Sequence, residues 1–424
     1  MPSTATEKIL ARAANLNKVR YDNIIECKVD LTWMTANHFL IFKETFDQIG
    51  SNIWNKEKVK LIIDHFIPPR TEAQAKACKA IQDFANKQNV ELITDGIKHQ
   101  IFRERGWAVP GIIMAGNDSH TNTSGAFGAF AAALGPTETA LIFSNGKMWF
   151  KVPQTIQINL EGGPLHKYIT ARDLGMEIFR RIESKSAIYA QYKTIEITGP
   201  ALKYLNISDR MTLANLSTEL GAKNCFIEPD SVIEEHVKSF NSTFQHSCYF
   251  FKSDEDAEFF DKITINLDSV DSPLIARPAS PTNIVDIKKV EGIKLDQVFI
   301  GSCLNSHLED LRLAANILQG KKINPQTRFI VTPSSRKIYI DALQEGIIKI
   351  LSETGAIIST PGCSACVGLE GVLSDEQICF STSPRNYIGR MGSNKAKIYL
   401  GSPAVAAMSA LSGQITNPQR IKEY

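Results

Sequence analysis

The sequence has few cysteines, no long apolar run and no excess charge of either sign. Eight cysteines in 424 residues are too sparse for a disulfide framework. No stretch approaches the roughly 18 consecutive apolar residues that a membrane helix needs. The 47 Lys and Arg residues nearly balance the 45 Asp and Glu residues, whereas a dedicated nucleic-acid binder usually carries a concentrated basic excess. These absences exclude a small disulfide scaffold and a membrane span, and they predict no nucleic-acid partner.

The first residues (MPSTATEK) also lack the apolar core of a secretory signal. We therefore expect a cytoplasmic protein, in which thiols stay reduced. In that compartment, clustered cysteines more often bind metals or carry out redox chemistry than form disulfides. Cys303, Cys363 and Cys366 are clustered in this way, and the other five cysteines stand alone.

A local pattern recurs along the chain: a short apolar strand, a turn rich in Gly, Ser or Pro, and an amphipathic helix. Strands that alternate with helices predict an α/β fold with mainly parallel sheets. Ligands of such sheets bind beyond the carboxyl ends of the strands, and here the reactive residue types follow the strands. The apolar segments are residues 61–63, 111–115, 297–300, 329–331 and 356–358.

The length suggests two or three domains. Pro-containing segments near residues 153 and 280 predict the domains 1–153, 154–280 and 281–424. A capping-box pair, Ser306 and Glu309, predicts the start of a helix that ends near residue 319. The segment GAFGAF (residues 125–130) lacks the spacing of a phosphate-binding loop, so we interpret it as closely packed core.

The three clustered cysteines have the spacing of a metal or redox site. Cys363 follows Cys303 after 60 positions, and Cys366 completes a C-x-x-C pair. Three thiolates can hold three irons of a 4Fe-4S cluster and leave the fourth iron open as a Lewis acid. A zinc ion with His307 as fourth ligand, or a redox pair, agrees equally well with the spacing alone.

Four motifs, taken together, resemble the aconitase superfamily, most closely the large subunits of 3-isopropylmalate dehydratase and homoaconitase. The resemblance runs in order from about residue 25 to residue 418. It implies three α/β/α domains around a 4Fe-4S cluster held by Cys303, Cys363 and Cys366. It also implies a hydro-lyase that removes and adds water on a 2-hydroxy di- or tricarboxylic acid, without nicotinamide or ATP. The motifs are residues 116–121 (GNDSHT), 299–306 (FIGSCLNS), 361–368 (PGCSACVG) and 385–392 (RNYIGRMG).

Removing water beside a carboxylate requires a base, an acid or metal that carries off hydroxide, and cations for the carboxylates. The resemblance implies three catalytic acid–imidazole pairs and two polar residues near the cluster and substrate. The pairs are Asp64 with His65, Asp118 with His99, and Glu219 with His120, and the polar residues are Ser119 and Asn215. The competing interpretation is structural, because a Glu on a helix is commonly solvated and many buried pairs serve ordinary networks. His38, His166, His236 and His246 match no motif.

Arg385 and Arg390 stand five residues apart on either side of a Gly-containing turn. Arginine binds a carboxylate through two parallel hydrogen bonds, so two arginines suit a di- or tricarboxylate. A structural salt bridge is the competing interpretation. In the family these positions bind substrate carboxylates, and the resemblance therefore implies the same role here.

Several positions depart from the family pattern without touching the cysteines or the arginines. We hypothesise a working hydro-lyase whose substrate differs from the standard one. The competing hypothesis is a non-catalytic paralogue that acts as an iron sensor or a structural binding protein. The departures are Leu304 in place of Thr, Pro384 in place of Asn, Ala36-Asn37 in place of a His or Gln followed by an acid, and Ser306-His307 in place of Gly-Arg.

In the family, the serine that acts as base and a further arginine lie on a swivelling domain that follows these three. The sequence stops at residue 424 without a counterpart of that domain. We therefore expect a separate small subunit as partner, together with a small carboxylic-acid substrate.

Overall fold

A computed structural model describes residues 2–50, 52–240 and 248–423 of the chain. Within these ranges, none of the helices combines the length and hydrophobicity that crossing a membrane requires. The strands are β1 Ile24–Lys28, β2 Thr32–Thr35, β3 Val59–Ile62, β4 Leu92–Ile93, β5 Ile113–Gly116, β6 Phe130–Ala133, β7 Lys147–Lys151, β8 Thr155–Glu161, β9 Thr194–Thr198, β10 Asn224–Ile227, β11 Asp261–Asn266, β12 Leu274–Ala276, β13 Ile284–Asp286, β14 Gln297–Ile300, β15 Arg328–Val331, β16 Ile357–Ile358, β17 Ile378–Ser381 and β18 Lys397–Leu400. The α-helices are α1 Ala5–Ala13, α2 Phe39–Ile49, α3 Glu72–Gln88, α4 Lys98–Glu104, α5 Pro136–Asn145, α6 Ala171–Glu183, α7 Ile207–Leu216, α8 Ser231–Lys238, α9 Leu308–Leu318, α10 Arg336–Gln344, α11 Ile347–Thr354 and α12 Pro403–Ser412.

Contacts group the chain into two compact units of interleaved segments. Unit 1 comprises Met1–Thr94, Lys98–Glu161 and Ile188–Ile265. Unit 2 comprises Asp95–Ile97, Gly162–Ala187 and Asn266–Tyr424. The residues around position 280 form the turn between the antiparallel strands β12 and β13 of unit 2. The division into 1–153, 154–280 and 281–424 stays a prediction.

Unit 1 contains short, mainly parallel sheets, as the strand–helix alternation predicts. Strands β2, β3 and β4 form one parallel sheet, and a parallel bridge between Leu31 and Met114 joins it to the parallel pair β5 and β6. A further sheet has the order β10-β9-β8-β11. Strand β5 is buried along its whole length, as is typical of parallel strands that are covered on both faces.

Phenylalanines from three helices fill a core of unit 1. Phe42 of α2 contacts Phe143 of α5 with their ring centroids 4.7 Å apart, edge to face. Phe84 of α3 contacts both Phe39 and Phe46 of α2 in the same way. Edge-to-face rings are favourable beyond the area they bury, so this core fixes the helices against the sheet that carries β2 and β3.

Unit 2 is built on one seven-stranded sheet with the order β13-β12-β18-β17-β14-β15-β16. Strands β14 to β18 pair in parallel. Val298 and Ile300 of β14 face a core shared with α9 and α12, whereas Phe299 faces a second core that includes Met176 of α6. Because alternate residues of a strand point to opposite faces, this sheet is covered by helices on both sides.

The predicted helix near residues 306–319 is present as α9, but its capping box is displaced by one residue. His307 is the N-cap and its backbone N–H donates to Asp310 Oδ2 at 3.0 Å. The predicted Ser306–Glu309 box is wrong, because the Ser306 hydroxyl donates instead to the carbonyl of Ser302 at 2.7 Å.

The interpretation of residues 125–130 as closely packed core is confirmed, although the packing is against a strand. A 3₁₀ helix, Thr121–Phe127, is buried throughout. A Cβ atom on Gly125 would lie 1.6 Å from the backbone oxygen of Cys225 on β10. Only glycine permits this approach.

The buried carboxyl of Glu196 on β9 makes the stability of unit 1 depend on pH. Burial raises its pKa from 4.5 to about 7, although Ser253 Oγ donates to it at 2.8 Å. A raised carboxyl pKa means that the folded state holds the proton more tightly. Its contribution to the free energy of unfolding is therefore complete below about pH 4.5 and is lost as the pH rises through about 7.

We expect Glu196→Gln to remove this dependence and to be more stable than the wild type at pH 8, by up to about 3 kcal/mol. Urea unfolding at pH 5.5 and pH 8 measures it. Glu258→Gln, at an exposed position of the same unit, is the matched control. Equal pH dependence in the Glu196 variant and the wild type would contradict the assignment.

Candidate active site

The polar residues of unit 1 that the sequence singled out follow three parallel strands. Asp64 and His65 come after β3, and His99 comes after β4 on the first turn of α4. Asp118 and His120 come after β5. Because carboxyl ends of parallel strands share one edge of a sheet, the topology brings the three segments together.

All three predicted acid–imidazole pairs are formed. His65 Nδ1 lies 2.6 Å from Asp64 Oδ1, and His99 Nε2 lies 3.1 Å from Asp118 Oδ1. His120 Nε2 lies 2.8 Å from Glu219 Oε1. A carboxylate that accepts from one ring nitrogen fixes the tautomer and the orientation of the imidazole. These distances place three oriented imidazoles in unit 1.

Lys98, which the sequence analysis did not single out, joins two of the pairs. Its Nζ atom lies 2.7 Å from Asp64 Oδ2 and 2.8 Å from Asp118 Oδ2. Only 1% of the Lys98 side chain is exposed. In the sequence, Lys98 is marked only by its position in the segment GIKHQI, directly before the candidate histidine. The sequence does not show that this lysine is buried.

The ammonium of Lys98 sets the charge state of this cluster. Burial would raise the pKa of Asp64, but Lys98 and His65 outweigh it and hold that pKa below its ordinary value. Asp118 behaves in the same way, because Lys98 and the hydrogen bond from His99 lower its pKa well below the ordinary value despite burial. Both carboxylates are therefore ionised at neutral pH.

The tautomer of His99 follows from its neighbours. Burial lowers the pKa of His99 against the opposing influence of Asp118, so the ring is neutral at pH 7. Since ionised Asp118 can only accept, Nε2 of His99 carries the proton and Nδ1 presents a lone pair. That Nδ1 atom is buried, and no group in the described part of the chain bonds to it. His99 can thus take a proton from a bound molecule at Nδ1.

Glu219, Ser119 and Asn215 are also placed at this cluster or beside it. The Glu219 side chain is 1% exposed, so the solvated-face interpretation of this residue is wrong. Ser119 Oγ lies 3.4 Å from His120 Nδ1. Asn215 on α7 is fully buried, and its side-chain amide donates to Thr123 Oγ1 at 2.8 Å.

His38 is a further residue that motif matching missed. The side chain of Asn117, directly before Asp118, lies 3.0 Å from both His38 Nδ1 and Thr35 Oγ1. Asn37 accepts from Thr35 Oγ1 at 2.5 Å. The segment after β2, which departs from the family pattern at Ala36-Asn37, therefore contacts the GNDSHT motif. The parallel bridge between Leu31 and Met114 and the hydrogen bond from Asn117 N to the Trp33 carbonyl, at 3.2 Å, place β2 beside β5. No local sequence pattern indicates this pairing.

In unit 2 the three clustered cysteines again follow parallel strands. Cys303 comes after β14 and Cys363 after β16, and both pack against Ile97 and Val367. Cys366 lies in the 3₁₀ helix Ser364–Val367. Ile97 belongs to the short segment Asp95–Ile97 of unit 2. Its backbone N–H donates to the carbonyl of Ser334 at 2.8 Å.

The clustered cysteines differ in environment from two of the isolated ones, Cys225 and Cys379. Cys303, Cys363 and Cys366 are 9%, 8% and 5% exposed. Burial raises the pKa of Cys225 and of Cys379 to about 12, and both are fully buried. A metal ligand must be a thiolate, so the clustered thiols suit ligation better than the fully buried thiols of Cys225 and Cys379 do.

A 4Fe-4S cluster fits this set of donors better than a single zinc ion. In residues 2–50, 52–240 and 248–423, no three His, Cys, Asp or Glu side chains are arranged to hold one metal ion. A cluster does not need such an arrangement, because each thiolate binds a different iron. His307, the zinc ligand considered above, is buried at the start of α9, where its backbone N–H donates to Asp310 Oδ2 at 3.0 Å.

The arginines lie on the loop that follows β17. Arg390 Nη2 is 3.7 Å from Cys366 Sγ, so its guanidinium stands directly beside one of the clustered thiols. Asn386, between the two arginines, donates to the carbonyls of Arg277 at 2.7 Å and of Ile398 at 3.1 Å. These bonds fix the turn on which Arg385 and Arg390 are carried, and both arginines are half-buried.

Comparison with known proteins agrees with this geometry. Residues 29–413 match the family model described as "Aconitase family (aconitate hydratase)". The 3-isopropylmalate dehydratase large subunit of Clostridium kluyveri is 38% identical, over 99% of this chain and 100% of the relative. The probable methanogen homoaconitase large subunit of Methanothermobacter thermautotrophicus is 36% identical, over 98% of this chain and 97% of the relative. The structure of holo-form Thermococcus kodakaraensis aconitase X has the same fold, with a TM-score of 0.53 at 12% identity and 92% coverage of both chains.

The matching family model and the dehydratase and homoaconitase relatives identify a hydro-lyase. The chain belongs to the aconitase family, as the motif resemblance implied.

Proposed function

We propose that the chain is the large subunit of a 4Fe-4S hydro-lyase that dehydrates and rehydrates a 2-hydroxy di- or tricarboxylic acid. The observation that carries the proposal is His99, whose Nε2 is fixed by Asp118 and whose buried Nδ1 has no partner within the described residues. A neutral imidazole held in this way is suited to exchange a proton with the hydroxyl of a substrate.

The remaining residues of unit 1 supply orientation and a second imidazole. In hydration, His99 takes a proton from water at Nδ1, and in dehydration it returns the proton to the departing hydroxyl. Glu219 orients His120 in the same way, and Asp64 orients His65. Catalysis by a positioned acid or base contributes typically about 10²–10⁴-fold.

The residues of unit 2 bind the carboxylates and the cofactor. Arg385 and Arg390 pair with substrate carboxylates, for which the guanidinium fork is well matched. Cys303, Cys363 and Cys366 would hold the cluster, and Arg390 stands beside Cys366. When bound, a cluster with one open iron supplies a Lewis acid for the leaving hydroxyl.

We propose a separate small subunit as the partner and the cytoplasm as the compartment. The relatives that cover this chain from end to end are named large subunits, which supports a second chain.

The substrate differs, we propose, from that of the relatives named above. Those relatives are named for two different acids, so the family tolerates a change of substrate. Here His38, in the segment after β2, lies 3.0 Å from Asn117 of the GNDSHT motif, and Asn37 lies beside His38. The non-catalytic alternative is not favoured, because all three acid–imidazole pairs are intact.

A panel of 2-hydroxy di- and tricarboxylic acids tests this function. The chain is reconstituted anaerobically with iron and sulfide, together with its proposed small subunit, and alkene formation is followed by ultraviolet absorbance. We expect turnover of at least one acid other than 3-isopropylmalate. Ordinary turnover of 3-isopropylmalate would disprove the altered substrate, and no turnover of any acid by a cluster-loaded complex would disprove the hydro-lyase. Full activity of the 424-residue chain without the small subunit would contradict the need for a partner.

A further inference from the structure

Lys98 is a buried cation shared by the buried carboxylate of Asp64 and the partly exposed carboxylate of Asp118. Its Nζ lies 2.7 Å from Asp64 Oδ2 and 2.8 Å from Asp118 Oδ2. The other oxygen of each carboxylate accepts from an imidazole, His65 in one case and His99 in the other. A continuous hydrogen-bonded chain, His65–Asp64–Lys98–Asp118–His99, therefore runs across the ends of β3, β4 and β5.

This arrangement depends on the ammonium. Two carboxylates within reach of one nitrogen repel each other strongly when they are buried, and one of them would normally take up a proton. A protonated Asp118 could donate to His99 Nε2 and reverse the tautomer of that ring. The positive charge of Lys98 compensates both carboxylates and leaves them as acceptors.

The charged and titratable groups that face this chain come from several elements. Asp64 and His65 follow β3, His99 lies on α4, and Asp118 follows β5. His120 is bonded to Asp118 through its backbone N–H, at 2.7 Å, and pairs with Glu219. The carboxylate of Asp118 therefore accepts hydrogen bonds from Lys98, from His99 and from the backbone N–H of His120.

We propose that Lys98 is a positioning residue that ties Asp64 and Asp118 together, so that the two carboxylate–imidazole pairs act as one unit. It does not contact substrate; it acts through the two carboxylates. This inference rests on the proposed function for its effect on turnover, but its effect on the histidines can be measured without turnover.

The test is Lys98→Met in the full chain, with Lys60→Met as the matched control. Lys60 is also nearly buried and pairs with a single carboxylate, Glu91, at 2.8 Å, in the same unit. Exchange of the histidine C2 hydrogen with deuterium, read by mass spectrometry of peptides, reports the protonation of His65, His99 and His120 separately. The measurement needs neither substrate nor cluster.

We expect Lys98→Met to raise the pKa of His99, because the positive charge of Lys98 is one of the influences that lower it. In the reconstituted complex, kcat should fall about 10–100-fold with little change in KM, since proton transfer rather than binding is affected. The acidic limb of the kcat profile should move to higher pH. Lys98→Arg, which keeps the charge, should restore most of the profile, and Lys60→Met should leave the exchange at His99 unchanged.

A folded Lys98→Met variant with wild-type exchange at His65 and His99 would overturn the proposal. If Lys98→Met alone does not fold, the double variant Asp64→Asn/Lys98→Met is tested in its place. The double variant removes one positive and one negative charge, so no unpaired charge is added. If Lys98 ties the pairs together, the exchange rate at His99 in this double variant differs from that in the wild type. An identical exchange rate would also overturn the proposal. Altered exchange without hydro-lyase activity would support the role of Lys98 while disproving the proposed function.

Discussion

Cys303→Ser should lower turnover by about 10³-fold or more, because the proposed cluster that Cys303 would help to hold would supply a Lewis acid worth several kcal/mol. The serine oxygen is a poor replacement for a thiolate, and the cluster would be lost or incomplete. Cys303 is 9% exposed and packs against Ile97 and Cys363 at the end of β14. The variant should therefore fold normally while failing to retain iron.

Cys78→Ser provides the matched control. Cys78 on α3 is half-buried and its thiol lies 3.8 Å from the carbonyl of Phe66, away from the clustered cysteines in sequence and in a different unit. Iron and sulfide content, visible absorbance and urea unfolding are measured for both variants after anaerobic reconstitution. Normal cluster content and turnover in Cys303→Ser would show that this thiol is not a ligand. Loss of stability without loss of turnover would indicate a purely structural role.

His99→Gln lowers kcat by about 10²–10⁴-fold, the usual contribution of a positioned acid or base. Glutamine retains a hydrogen-bonding side chain of similar reach but cannot take up a proton at the position of Nδ1. Binding of the substrate carboxylates does not depend on this ring, so KM should change little.

The pH dependence gives a second readout of the same residue. Because burial holds the pKa of His99 below its ordinary value of 6.5, the neutral ring persists to acidic pH. The hydration rate of the wild type should therefore stay unchanged as the pH is lowered below 6.5. His166→Gln, at an exposed histidine that matches no motif, should behave as wild type. Unchanged kcat in His99→Gln would assign the proton transfer to His120 instead.

Much of the fold could be predicted from periodicity and turn chemistry. The apolar segments at 297–300 and 329–331 correspond to β14 and β15, and the segment at 356–358 corresponds to β16. The strand at 111–115 begins two residues later than predicted, as β5, because Gly111 has a positive φ that ends regular structure there. Pairing order and the interleaving of the two units depend on contacts distant in sequence, which no local pattern contains.

The site could be predicted only as far as motifs and the family resemblance reach. His246, one of the four histidines that matched no motif, lies outside the described residues. The pairing of His120 with Glu219 spans 99 positions and was available only from the resemblance. Lys98 was missed because lysines are mostly exposed. Its burial follows from two acids that fold onto it from positions 64 and 118.

The shared lysine also constrains how this sequence can evolve. A substitution at Asp64 that would be tolerated if each pair stood alone instead changes the charge felt by Asp118, because both acids bind one ammonium. Mutations at positions 64, 98 and 118 should then be strongly non-additive. Natural variants that change one of them would be expected to change another, so these three positions should drift together along a lineage rather than one at a time.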